Sequence, residues 1–398
     1  MLWTRPAVTL RLIALLLISE FVRAGLIVAF LPLTAGRYGL SLAQVGSLVG
    51  AHYLMDALAK GPVGLVTQRW GIGGALISSS LLGLGFILSV LGGAAFWPLL
   101  VLAAAWGVGY AALWPSVMAV SQQYALPGRE ARALSLTNLS VAPGIALGTL
   151  GVGQLMLRLP ASVPALLLWA QGAVMVLALS LWRQRLESRS TTSQQTQDWR
   201  LQWRRVASLL PAAFAQMLAP GLLVTLFYPL LARLNLNLSD LLGPGLTGGV
   251  CLLGALLLSG RLADIYGPRR VLGPGLTLLT LAFGLAGLSA TFLTSWLWPL
   301  CALIGAGYGT FMAGWNGLVG QTLPPQQRAA AWGVVMATEA LGYSLGPVLG
   351  GAVWASGGVR VFWLGAGVFL LARLYYWLPG RALGQVGGAV VTAEDRTA

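Results

Sequence analysis

Six ionisable side chains interrupt apolar stretches of this chain, and their spacing is regular. Glu20 and Arg23 stand three residues apart, His52, Asp56 and Lys60 recur at every fourth position, and Glu339 stands alone in the second half. On a helix, residues three or four apart share a face, so each group forms a stripe. At mid-bilayer an ionisable side chain costs roughly 2.5–3.5 kcal/mol on insertion scales. Each one that persists therefore needs a partner, a water-filled cavity or a task. With both stripes turned into one interior, Arg23 and Lys60 neutralise Glu20 and Asp56. A buried carboxylate beside a cation exchanges a proton when its hydration or partner changes, because desolvation disfavours its charged form and pairing favours it. Glu20, Arg23, His52, Asp56 and Glu339 are thus the candidates for proton handling. His52 is the only histidine and Lys60 the only lysine. The plain alternatives are ion pairs that fix helix register, a histidine donating to a backbone carbonyl, and a Glu339 held by a structural hydrogen bond.

These residues must be positioned by membrane-spanning elements. Of 398 residues, 57% are hydrophobic and 9% charged, with a mean hydropathy of +0.79. A soluble surface normally needs about a quarter of residues charged, which excludes a soluble fold. The apolar runs are about 20 residues long, the length of a spanning helix rather than a barrel strand. An all-α protein of twelve spans is expected, near 10–33, 43–66, 74–93, 97–118, 134–157 and 163–182, then 207–232, 243–262, 271–291, 296–320, 331–354 and 359–378. The first reads as a retained span rather than a signal peptide, since Glu20 and Arg23 interrupt its core and no small-residue cleavage site follows. Cys251 and Cys301, the only two cysteines, both lie in apolar runs, so neither a disulfide framework nor a metal site is implied. No cofactor motif is present.

A net charge of +14 would suggest nucleic acid in a soluble protein, but here topology explains it. Loops after even-numbered spans carry Arg69; Arg129 and Arg132; Arg183, Arg185, Arg189, Arg200, Arg204 and Arg205; Arg269 and Arg270; and Arg328. Loops after odd-numbered spans carry at most one each: Arg37, Arg158, Arg233 and Arg360. The positive-inside rule then puts both termini in the cytoplasm of a cell whose cytoplasmic membrane holds the protein. Four segments follow: a six-helix bundle over 1–182, a polar cytoplasmic linker over 183–206, a second bundle over 207–380 and a tail over 381–398. The halves repeat at an offset of about 200 residues without inversion. Gln68-Arg69-Trp70-Gly71 corresponds to Asp264-Ile265-Tyr266-Gly267, Leu126-Pro127-Gly128-Arg129 to Leu323-Pro324-Pro325-Gln326, and Ala142-Pro143-Gly144 with Gly148 to Gly346-Pro347 with Gly350 and Gly351. Gly342, Gly346, Gly350 and Gly351 suit close helix approach, and Pro143 and Pro347 suit local bending. Such a two-bundle repeat is the organisation of a secondary transporter.

The cavity between such bundles would be lopsided. Its first-half wall is charged, whereas the second half offers mostly Leu, Phe, Val and Gly, with Gln216, Asn316 and Gln321 as scattered polar groups. A ligand suiting both walls has a polar head and an apolar body. Trp106, Trp114, Trp315 and Trp332 lie within or at the ends of spans, where indoles stack on sugar rings or pack helices.

Gly260-Arg261-Leu262-Ala263-Asp264-Ile265-Tyr266-Gly267-Pro268-Arg269-Arg270 resembles the cytoplasmic G-x-x-x-D-R-x-G-R-R signature of the major facilitator superfamily, with a first-half copy beginning at Gly64. The resemblance implies a cytoplasmic latch of Gly64, Arg69, Gly260, Asp264, Gly267, Arg269 and Arg270. Gln68 stands where the family has Asp, and Ile265 where it has Arg. More narrowly, Glu20-Phe21-Val22-Arg23 and His52-Tyr53-Leu54-Met55-Asp56 resemble the E-F-x-R and H-[FY]-x-x-D patterns of LtaA-type glycolipid flippases of Gram-positive bacteria. Further matches are Trp114 with Pro115, Ala313-Gly314-Trp315-Asn316, Trp332-Gly333-Val334, and Gly346-Pro347 with Gly350-Gly351. This likeness implies a proton-coupled antiport-type flippase acting on a disaccharide-diacylglycerol, with Glu20, Arg23 and Asp56 serving headgroup binding and coupling, His52 beside them, and Trp114, Trp315 and Asn316 contacting substrate. Lys60, which belongs to the same charged wall, and Glu339 are departures from that pattern. The expected partners are the amphiphilic lipid, protons and the surrounding membrane lipids, with no nucleic acid, and the protein is expected to be a monomer. The rivals are a multidrug/proton antiporter exporting lipophilic compounds, a membrane-embedded lipid-modifying enzyme, for which no nucleophile with a base is visible, and a non-transporting receptor, which would have little need of buried charges.

Overall fold

A computed structural model describes residues 3–126, 137, 140–183, 206–322, 328–355 and 357–377. The sequence repeats at 127–129 and 323–326, most of the linker and the tail lie outside these residues. Among the described residues twelve main helices, broken ones counted once, follow in order. The first bundle holds α1 (Pro6–Tyr38), α2 (Leu42–Trp70), α3 (Ile72–Leu91), α4 (Phe96–Tyr110 continuing as Leu113–Gln123), α5 (Ser140–Arg158) and α6 (Val163–Ser180). The second holds α7 (Leu210–Val224 and Phe227–Arg233), α8 (Leu238–Tyr266), α9 (Pro268–Ala286), α10 (Leu297–Thr322), α11 (Arg328–Trp354) and α12 (Val361–Trp377). Among the described residues, eight helices are long and apolar enough to cross a bilayer, or nine counting α7, whose pieces bend by 56°. The other three, α2, α9 and α11, each carry charged residues within their length.

The repeat is visible in matching local devices. Ser41 caps α2, its hydroxyl accepting from the Gln44 backbone N–H at 3.2 Å while its own N–H donates to the Gln44 side chain at 2.9 Å. At the equivalent start of α8 the Asn237 backbone N–H donates to the Asp240 carboxylate at 2.7 Å. Both helices end at a glycine with positive φ, Gly71 at 91° and Gly267 at 89°. Each glycine N–H donates four residues back, to the carbonyl of Thr67 or Ala263, at 2.9 Å. That left-handed backbone favours glycine, which is why Gly recurs at this turn in both halves.

Packing repeats as well. In the first bundle a side chain added at Gly144 or Gly148 of α5 would meet the backbone carbonyl of Leu17 or Phe21 in α1, each at 2.4 Å. In the second, Gly342 and Gly350 of α11 stand equally close to the carbonyls of Phe214 and Leu222 in α7. Small residues let the backbones approach and gain dispersion contact where lipid supplies no hydrophobic drive. The two equivalent prolines differ in setting: Pro347 is buried inside α11, whereas Pro143 is exposed on α5. Each bundle has its own apolar core, one around Leu16, Ile27, Phe86 and Trp106, the other around Leu276, Phe283, Phe311 and Phe369. α1 and α5 each contain a π turn, Gly25–Phe30 and Leu147–Gly151, and these pack against each other.

The close approaches between bundles lie toward the end opposite the chain termini. There α2 meets α11 almost backbone to backbone. A side chain at Gly46 would stand 2.1 Å from the Pro347 carbonyl oxygen, one at Gly50 2.7 Å from that of Ser344, and one at Gly351 2.7 Å from that of Leu42. On the other seam the Tyr228 hydroxyl of α7 donates to the Thr149 carbonyl of α5 at 2.6 Å. Nearer the termini α2 and α11 diverge, leaving the Lys60 side chain 36% exposed and Met336 48% exposed.

Candidate functional site

The charged residues of α1 and α2 converge inside the first bundle. Glu20, 1% exposed, accepts from the Arg23 guanidinium at 2.6, 2.7 and 3.1 Å and from the Trp114 indole N–H of α4 at 2.6 Å. A buried carboxylate is stable only when its lone pairs are so occupied. The guanidinium lies 4.4 Å from the ring centre of Tyr110 and 5.1 Å from that of Tyr53, where the aromatic faces attract the cation. One helical turn along α2 from Tyr53, the Asp56 carboxylate pairs with the Lys60 ammonium at 3.3 Å. His52, 1% exposed, is wedged against Trp106 of α4, ring centres 4.3 Å apart, with Tyr110 and Tyr53 at its edges.

The second bundle contributes differently. Tyr343 of α11 meets Tyr53 edge to face with ring centres 4.6 Å apart, so the charged cluster is roofed by an aromatic contact between the halves. One turn nearer the termini, Glu339 accepts a hydrogen bond from the Gln216 side chain of α7. Among the described residues Glu339 has no cation within ion-pair distance.

Other expected residues fall elsewhere. Trp315 is 2% exposed and stacks on Phe311 in the second core, so its ring packs helices rather than facing the space between bundles. Asn316, the next residue, is exposed. Of the latch residues, Asp264 and Arg270 are exposed, the Arg269 guanidinium donates to the Tyr376 carbonyl of α12 at 3.2 Å, Gly260 is open on α8 and Gly267 makes the turn. The surroundings of Gly64 and Arg69, and the Trp332 side chain, lie outside the described residues. Gly346 and Gly350 of α11 pack against Gly221 and Leu222 of α7.

Two tyrosines, Tyr110 and Tyr343, complete the cluster beside the motif residue Tyr53 without having been singled out by sequence. The available signal was that Tyr343 lies four residues beyond Glu339, on the same face. A second feature lies on the α5–α8 seam: a cavity of about 910 Å³ lined by Leu150 and Gln154 of α5, Phe227 of α7, and Leu242, Leu246 and Leu253 of α8 among others. Its volume falls within the roughly 300–1,000 Å³ of small-molecule sites, and its wall is almost wholly apolar.

Comparison with known proteins agrees with this architecture. The family model of the Major Facilitator Superfamily matches residues 12–258 and 245–390. A proton-coupled antiporter flippase LtaA of Staphylococcus saprophyticus is 21% identical over 92% of both chains. A probable anion transporter 4 of Arabidopsis thaliana, assigned to the chloroplast, is 32% identical over 29% of this chain and only 22% of its own length. A crystal structure of a bacterial homolog of the human lysosomal transporter Spinster superposes with a TM-score of 0.71 at 19% identity, covering 94% of this chain and 96% of that one. The family match spans both bundles, and the chain therefore belongs to the major facilitator superfamily: it is a multi-pass membrane transporter, not an enzyme.

Proposed function

We propose that this transporter is a proton-coupled, antiport-type flippase carrying a glycolipid of the disaccharide-diacylglycerol kind from the inner to the outer leaflet of the cytoplasmic membrane. The observation that carries this reading is the lopsided interior. One wall presents two neighbouring polar groups, Glu20 with Arg23 and Trp114, and Asp56 with Lys60, and the α5–α8 seam offers an apolar cavity. Sugar hydroxyls are suited to the carboxylate and guanidinium edges of such a cluster, and indole and phenol rings to sugar faces. The acyl chains would lie along the apolar seam. The arginine distribution supports cytoplasmic termini, so the arrangement with α2 and α11 parted near Lys60 corresponds to access from the cytoplasm. A headgroup entering there rearranges the Glu20, Arg23 and Asp56 network, and once access has switched to the outer side a carboxylate that has lost its cation takes up the entering proton as the lipid is released. The likeness to the staphylococcal flippase over 92% of both chains adds to this reading.

The test is purified protein in liposomes with a fluorescent diglucosyl-diacylglycerol and an imposed pH gradient. Translocation should follow the gradient, and Asp56→Asn should lose that dependence. Export of a lipophilic cation with the glycolipid left in place would favour a multidrug/proton antiporter instead. An Asp56→Asn protein with unaltered flipping and unaltered pH response refutes the coupling role.

A further inference from the structure

Lys60 and Glu339 are the two charges without a place in the residue pattern of the first bundle's cluster, and the fold aligns them. α2 and α11 run antiparallel, with Gly46 against Pro347, Gly50 against Ser344 and Tyr53 against Tyr343. Continuing that register past Tyr53 brings the stripe of Asp56 and Lys60 opposite the stripe of Glu339 and Met336, where the helices diverge. In this arrangement the Lys60 ammonium is held by Asp56 on its own helix, and Glu339 rests on the neutral Gln216. Gln216 of α7 is the hydrogen-bond partner of Glu339, Tyr343 lies one turn along α11, and the same register places Tyr53, Asp56 and Lys60 on the face of α2 turned toward it. Arg373 of α12 is engaged with Thr277 of α9.

We propose that Glu339 is the alternate partner of Lys60. When access switches and the termini ends of α2 and α11 close, the ammonium leaves Asp56 for Glu339, and Asp56 is left free to take up a proton. The lysine stem is long and flexible, and trading one carboxylate for another keeps the cation paired throughout, so neither end of the cycle strands a bare ammonium in the membrane interior. Lys60 thereby ties the protonation of Asp56 to the position of the bundles. This deepens the coupling reading above, and it rests on alternation between the two arrangements of the bundles rather than on the identity of the cargo.

The full chain is used with Cys251→Ser and Cys301→Ser, which removes both native thiols. Lys60→Cys with Glu339→Cys is probed with a short bifunctional maleimide, alone and combined with Gly46→Trp. A Trp at Gly46 wedges the opposite end apart, because even its Cβ would stand 2.1 Å from the Pro347 carbonyl oxygen. Cross-linking should rise at least fivefold with the wedge. A yield that stays level or falls overturns the proposal. A double-mutant cycle on flipping of the fluorescent diglucosyl-diacylglycerol gives the second readout. Glu339→Gln should slow transport at least tenfold in the native background and less than twofold beside Lys60→Gln. Equal factors in both backgrounds overturn the proposal. If the native protein leaves that lipid in place, only the cargo assignment fails, and the cross-link decides for Lys60.

Discussion

The two ion pairs of the first bundle are predicted to differ sharply when their cations are removed. Arg23 holds a carboxylate that is 1% exposed, through three hydrogen bonds and between two aromatic rings. Lys60 pairs across a single 3.3 Å contact with its own side chain 36% exposed and that of Asp56 10% exposed, so water reaches the lysine end, and an Asp56 deprived of it can shed its charge by taking a proton. Breaking a buried pair by deleting one partner costs about 3–5 kcal/mol, whereas a water-screened pair contributes about 1 kcal/mol or less. For a unit of about 180 residues, each kcal/mol moves the melting temperature by about 2–4 °C. Arg23→Gln is therefore expected to lower it by about 6–20 °C, and Lys60→Gln by no more than about 4 °C. The double variant Glu20→Gln, Arg23→Gln should recover most of the loss, since no unpaired charge remains. Intrinsic tryptophan fluorescence in detergent during a thermal ramp measures all three. Equal shifts for the two single variants, or a double variant as unstable as Arg23→Gln, would refute the argument from burial.

Three further outcomes follow from the packing. Gly350→Val should destabilise the second bundle by about 1–3 kcal/mol, because its Cβ would meet the Leu222 carbonyl oxygen at 2.3 Å; chemical denaturation at fixed detergent reads this. Gly249→Leu should leave stability level or raise it by up to about 1 kcal/mol, since nothing lies within 4 Å of its Cβ, yet it narrows the α5–α8 cavity and should slow glycolipid flipping several-fold in liposomes. Trp315→Phe should cost about 1–3 kcal/mol of stability with no change in the apparent KM for lipid, because the ring is enclosed in the second core.

Much of the architecture was legible because a bilayer permits few alternatives: long apolar runs must be helices. The pairs Glu20–Arg23 and Asp56–Lys60 were legible for the same geometric reason, since spacings of three and four place side chains on one face. Partners from distant helices were not. Trp114 reaches Glu20 across 94 residues of chain, and Gln216 reaches Glu339 across 123; no local period records such meetings. Trp315 illustrates the converse problem. An indole at mid-span has the same local pattern whether it packs a core or faces a ligand, and only the stack on Phe311 distinguishes them. Pro143 and Pro347 hold equivalent places in the repeat but unlike surroundings, because the two seams between bundles are closed by different contacts.

The paired π turns of α1 and α5 give the first bundle a freedom that uniform helices lack. A π turn houses one surplus residue relative to an α turn, and Gly25–Phe30 begins two positions beyond Arg23. The segment bearing Glu20 and Arg23 and the segment from Leu31 outward are thus indexed independently about the same axis. A lineage could shed or regain that residue and swivel the distal rim of α1 by about a quarter turn while the acid and its arginine keep their bearing. Selection can thus reshape the exit without re-engineering the floor.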